Sequence, residues 1–164
     1  MTLQNLLAIR QLLAHSADRG AVLKMLDAAR RNLADARVRE ISADNRFDAA
    51  YKCLMQCAMV ALWANGYRTS TSQPGHHQIA IQCLTLTMGV DKSTDIVLDA
   101  LRRQRNVSDY EGDPIAEAAL VSCIEESEKL LDHTERWLRE NRPELLASVE
   151  CLTSKRTPKA APKG

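Results

Sequence analysis

The residues best suited to chemistry lie in the run Leu101-Arg102-Arg103-Gln104-Arg105-Asn106-Val107-Ser108-Asp109-Tyr110. Leu98, Leu101 and Arg105 are spaced by three and four residues, which puts a guanidinium on the apolar stripe of an expected helix. A charge in that position is costly unless it meets an acid, a backbone carbonyl or a phosphate. Asn106 beside it offers a donor and an acceptor. Tyr110 falls just beyond the expected helix end, where its hydroxyl reaches back, and Arg102 is an auxiliary candidate. Two readings stay open. Arg105 pairs with an acid such as Asp48 and fastens the helices together, or Arg105, Asn106 and Tyr110 hold a phosphate.

His76 and His77 open a second candidate cluster. They follow a loop rich in Thr, Ser, Gly and Pro and start a helix. One of them facing Arg105 would bring an imidazole to the site, and the helix amides there favour a phosphate. The competing reading is a pair of exposed polar residues near a helix start. Cys53 and Cys57 sit one turn apart and with His76 or His77 form a formal metal set. Their spacing is not that of a structural zinc knuckle, and cysteine commonly behaves as a small buried hydrophobe. No metal and no cofactor is expected. Glu125, Glu126 and Glu128 read as a solvated face, and His15 and His133 stand alone.

The elements that must position these groups are helical. A short helix is expected over Leu3 to Leu13, then a break at Asp18-Arg19-Gly20. A second helix runs to about Arg39, with Val22, Met25, Ala29, Leu33 and Ala36 at helical spacing. Capping residues around Ser42 precede a long apolar helix with Phe47, Tyr51, Leu54, Ala58 and Leu62 in one stripe, closed by Asn65-Gly66. That helix should be central, or covered on its outer side by a partner chain. Further helices are expected over His76 to Met88 and from Asp91 or Ser93 to about Val107. Asp113-Pro114 marks the start of the last long one, which carries Leu120, Ile124, Ser127, Leu131 and Leu138 on one face. Asn141-Arg142-Pro143 ends it, and a short helix through Val149 precedes the tail. No segment alternates convincingly as a strand. The expected fold is an all-α antiparallel bundle of four long helices plus one or two short ones, a single domain over 1–152 with a disordered basic tail, 153–164.

Composition agrees with a globular helical chain. Of 164 residues, 45% are hydrophobic and only 4% aromatic, so aliphatic side chains must fill the core. Net charge is +1, yet the tail holds Lys155, Arg156, Lys159 and Lys163 without an acid, leaving the body near −3. Residues 111–150 carry eleven acids against four bases. Duplex DNA binding needs a dense basic face, which this body lacks. Five scattered cysteines do not make a disulfide scaffold, and a reducing, cytoplasmic setting is expected. The longest apolar segment, Cys53 to Ala64, is twelve residues and contains Gln56, too short to span a bilayer. The start of the chain has no signal-like apolar run.

The run Arg-Arg-Gln-Arg-Asn-Val-Ser-Asp-Tyr, before an acidic residue and a long final helix, resembles the signature region of the HEPN superfamily. Ser42 to Tyr51 resembles the start of that family's long helix, as Gly75-His76-His77-Gln78 resembles its turn, so the likeness spans roughly residues 40 to 130. Active members carry an arginine with a polar neighbour and, after four to six intervening residues, a histidine. Arg105 and Asn106 match, whereas Tyr110 stands where the histidine would. A phenol, with a reference pKa of about 10, is a poor general base near neutral pH. In some relatives a tyrosine near the motif accepts a nucleotide, which makes Tyr110 a candidate acceptor.

What the resemblance implies is a homodimeric protein that binds nucleotide or RNA, with two copies of Arg105 facing each other across a composite phosphate cleft. It also implies a place in a toxin–antitoxin or nucleotidyltransferase-coupled system, with the transferase as partner. The alternatives are a non-catalytic helical interaction module and a metal-independent endoribonuclease. The expected site is Arg105, Asn106 and Tyr110, with His76, His77, Asp48 and Arg102 as auxiliaries.

Overall fold

The computed structural model describes residues 1–147. Helix α1 (Leu3–Ala8) is capped by Thr2, whose hydroxyl accepts from the Asn5 amide at 3.1 Å. The expectation that it continues to Leu13 is corrected. Arg10 takes a φ of 59°, which ends the helix, and the chain turns into strand β1 (Leu12–Ala14). Its partner is β2 (Tyr67–Thr69), paired antiparallel with Leu12 opposite Thr69 and Ala14 opposite Tyr67. The absence of strands expected from the sequence is corrected with it. Three residues are too few to display an alternating pattern, and the two segments find each other only through the tertiary fold. The ribbon ties the start of the chain to the loop after the central helix.

Helix α2 (Arg19–Ala36) starts at Asp18, whose carboxylate accepts from the amides of Gly20 and Ala21. It buries Val22, Leu26, Ala29, Leu33 and Ala36, a stripe of three- and four-residue steps. Helix α3 (Ala43–Ala64) starts at Ser42, whose hydroxyl accepts from Asn45 N–H at 3.2 Å. Its second half, from Cys53 to Ala64, is apolar on nearly every side, and the helix packs against α2 on one flank and against α7 (Glu117–Asn141) on another. It is the central helix. Arg46 donates to the Ala36 carbonyl at 2.8 Å and Arg142 donates to that of Ala64, so a guanidinium covers the C-terminal end of each of the first two long helices.

The single helix expected over His76 to Met88 is two, α4 (His76–Gln82) and α5 (Leu84–Met88), interrupted at Cys83. The Thr87 hydroxyl donates to the Cys83 carbonyl at 2.8 Å, a back-bond of the kind that bends a helix. Helix α6 (Lys92–Glu111) extends a full turn beyond the expected end and stops at Gly112, with φ of 73°. Asp113-Pro114 does not start the last helix, which begins after Ala116. The intervening segment is held instead by Ile115, which is buried and whose N–H donates to Asp44 Oδ1 at 2.8 Å. On α7, Ser127 is fully buried and donates to the Ala50 carbonyl of α3 at 2.8 Å. A 3-10 turn, Pro143–Leu145, follows α7.

The fold is thus an all-α bundle in which α2, α3, α6 and α7 are the long helices and the ribbon is a small addition. The expected end of the domain at 152, the last of the short helix through Val149 and the tail 153–164 lie outside the described residues. Among the described residues no helix is long and apolar enough to cross a membrane.

Candidate functional site

Helices α4 and α6 lie side by side, and one surface cavity of about 330 Å³ opens between them. Gly75, His76, His77 and Gln78 line it from the α4 side, and Arg102, Arg105, Asn106 and Tyr110 from α6. The spacing 102, 105, 106, 110 repeats by three and four along α6, so one helical face supplies all four groups. Gly75 takes a φ of 79°, a turn that starts α4 where the two histidines enter the cavity wall. Six of the seven candidate residues named from the sequence therefore share one cavity. The seventh, Asp48, reaches it indirectly from α3.

Arg105 is half-buried and continues the stripe of Leu98 and Leu101, which are both buried. Its Nε donates to Asp48 Oδ1 at 3.3 Å, and its terminal nitrogen lies 3.6 Å from Asp109 Oδ2. Both contacts are long for charge-assisted pairs. The pairing with Asp48 foreseen from periodicity is present, and it links α6 to α3. Arg102 is tied more tightly, donating to Asp99 Oδ1 at 2.8 Å, while Arg103 meets the other oxygen of Asp99 at 2.7 Å. Burial raises the Asp99 pKa, but the hydrogen bond and charge of Arg102, aided by Arg103, outweigh it and hold the carboxyl below its usual range. None of these carboxylates lines the cavity itself. Its wall is cationic and polar.

Tyr110 is corrected in place. It stands within the last turn of α6, not beyond it, and is 87% exposed, so its ring rises from the cavity rim and its hydroxyl is not turned back into the helix. The longer helix, carried to Gly112, accounts for the difference. Asn106 is exposed beside it.

The residue that sequence reasoning passed over is Tyr51. It belongs to the apolar stripe of α3 and is 2% exposed, as that stripe implied. Its hydroxyl, however, lies 3.3 Å from His77 Nδ1, and the Arg105 guanidinium sits over its ring, 5.0 Å from the centroid. A buried phenol needs a hydrogen-bond partner, and that requirement was the available signal. Burial pushes its pKa up to about 12 against the pull of Arg105 and Arg102. His77 is shifted down from 6.5, first by burial and then by the positive neighbours His76, Arg105 and Arg102. The two imidazoles stand edge to face, 4.6 Å between centroids.

Cys53 and Cys57 are fully buried. The Cys57 thiol is pushed well up, by its hydrogen bond with Cys53 and by burial, which keeps it protonated. Among the described residues no three His, Cys, Asp or Glu side chains converge as a metal site would require. Glu128 pairs with Arg37 and Glu126 with Lys129, at the surface.

The arrangement can hold an anion between two guanidiniums, two imidazoles and an amide, with an exposed aromatic ring beside it for a planar group to stack on. Comparison with protein-family models, with curated proteins and with solved structures returned no significant match for this chain.

Proposed function

We propose that this chain is a HEPN-like helical protein that binds the phosphate of a nucleotide or RNA in the cavity between α4 and α6. The observation that carries the reading is the convergence of Arg102, Arg105 and Asn106 from α6 with His76 and His77 from α4 on one cavity whose lining contains no carboxylate. Arg105 is the principal phosphate ligand, because its own ion pairs are long and leave it free to turn toward a better partner. Tyr110 supplies the stacking surface for a base. Ile96, Val107 and Tyr110 expose apolar surface along the outer face of α6. That face supports a homodimer in which two such cavities adjoin, and a nucleotidyltransferase or toxin–antitoxin partner belongs to the same reading. The setting it implies is cytoplasmic.

Titrating isotopically labelled protein with ATP and, separately, with a short single-stranded RNA tests this reading. Resonances of His76, His77, Arg105 and Tyr110 should move together and saturate. Movement confined to other surfaces, or none with either probe, would remove the cavity as the binding site.

A second reading has its own observation, the Arg105–Asp48 pair that joins α6 to α3. In it the cluster is a fastening in a non-catalytic interaction module, and Arg105→Ala costs stability without affecting any ligand. Metal-independent RNA cleavage is the third. It needs an imidazole, which in this cavity comes from His76 or His77 rather than from the α6 motif. Cleavage in the presence of a chelator, lost in the paired His76→Ala and His77→Ala variant, would favour it.

A further inference from the structure

Tyr51 and His77 form a pair whose geometry determines where the imidazole carries its proton. The Tyr51 hydroxyl is buried on α3, and its one recorded partner among the described residues is His77 Nδ1, at 3.3 Å. A buried phenolic O–H that stays protonated must donate, and here the ring nitrogen is the acceptor within reach. A nitrogen that accepts bears no proton, so a neutral imidazole holds its single hydrogen on Nε2. Nδ1 is engaged with α3, which leaves Nε2 as the atom available to the cavity that His77 lines.

We propose that Tyr51 is a positioning residue that fixes His77 as the Nε2–H tautomer, so that His77 offers a neutral N–H donor to a phosphate oxygen in the α4–α6 cavity. The assignment of the donor to phosphate rests on the phosphate-site reading above; the tautomer does not. The surroundings agree with a neutral ring. His77 is faced by His76 from its own helix, by Tyr51 from α3 and by Arg102 and Arg105 from α6. Two guanidiniums and a second imidazole oppose a further positive charge. Protonation at Nδ1 would also oblige the Tyr51 hydroxyl to reverse its bond. Arg105 over the Tyr51 ring links the two devices, since the same phenol carries the guanidinium on its face and the imidazole at its hydroxyl.

Long-range proton–nitrogen NMR on the ligand-free protein, with His77 assigned by comparison with His77→Gln, reads the tautomer directly. The expected spectrum at about pH 8, above the imidazole reference value, shows Nδ1 unprotonated and Nε2 protonated. Tyr51→Phe, checked for fold by circular dichroism, should relax His77 to a mixture of tautomers. It should also bind a short RNA about threefold to tenfold more weakly, the effect of losing one orienting hydrogen bond. A wild-type His77 protonated at Nδ1 overturns the proposal without recourse to any variant, as does an unchanged tautomer in folded Tyr51→Phe. An Nε2–H tautomer in a wild-type protein that binds neither RNA nor nucleotide supports the role of Tyr51 and overturns the phosphate role of His77.

Discussion

The Arg105 guanidinium rests over the buried ring of Tyr51 while its Nε reaches across to Asp48, so one side chain of α6 meets two residues of α3 that lie one turn apart. The side chains of Arg105 and Asp48 are 26% and 40% exposed, and at that exposure an ion pair contributes at most about 1 kcal/mol. The stacking on Tyr51 adds about 0.5–1 kcal/mol. Arg105→Ala should therefore lower the unfolding free energy by about 1–2 kcal/mol in urea denaturation. A loss near 4 kcal/mol would be the mark of a buried, structural ion pair and would favour the fastening reading.

Ser127 offers a contrast, since its bond across the α3–α7 seam is shielded from water. Ser127→Ala should cost about 1 kcal/mol, with nucleotide binding unchanged. Stability equal to wild type would mean that the hydroxyl contributes only within its own helix, through the Cys123 carbonyl.

Gly75 tests the scaffold of the histidines. An added Cβ would meet nothing within 4 Å, so the cost of Gly75→Ala comes from its φ of 79° and not from crowding. A penalty of about 1–2 kcal/mol is expected, with the His76 and His77 resonances displaced as α4 restarts. Unshifted histidine resonances would show that α4 keeps its start without glycine.

The pH dependence follows from His77. Its folded-state pKa lies below 6.5, so the unfolded chain takes up a proton first as the pH falls. The stability tied to the neutral ring is intact above about 6.5 and is lost as the pH falls through the folded value. His77→Gln should flatten this loss, which sets in as the pH falls through about 6.5. Urea midpoints that fall in parallel for the variant and wild type would contradict the shift.

Much of the scaffold was legible because it rests on periodicity and caps. Ser42 and Asp91 stand at the starts of two long helices, and the expected stripe of α3 is buried. On α2, Val22, Ala29, Leu33 and Ala36 are buried as expected, but Leu26 takes the core place expected of Met25, one residue along. The ribbon was not legible, because Leu12–Ala14 and Tyr67–Thr69 owe their form to each other across more than fifty residues. Nor was the start of α7, where Asp113-Pro114 has a helix-start pattern while Ile115 is held by Asp44, a residue remote in sequence. The site was legible as a set of residue types, and α4 brought His76 and His77 to the arginines as one reading required. Tyr51 was read as core alone, because its ring obeys the apolar stripe and only its hydroxyl departs from it.

The central claim, that Arg105 binds phosphate in the α4–α6 cavity, is tested most directly by fluorescence anisotropy of a short labelled single-stranded RNA, with ATP as competitor, against wild type and Arg105→Ala. The account predicts saturable binding by wild type and at least tenfold weaker binding by a folded Arg105→Ala, about what one lost hydrogen bond to a charged group costs. Equal affinity of the two folded proteins, or no binding of either probe by wild type, would contradict it.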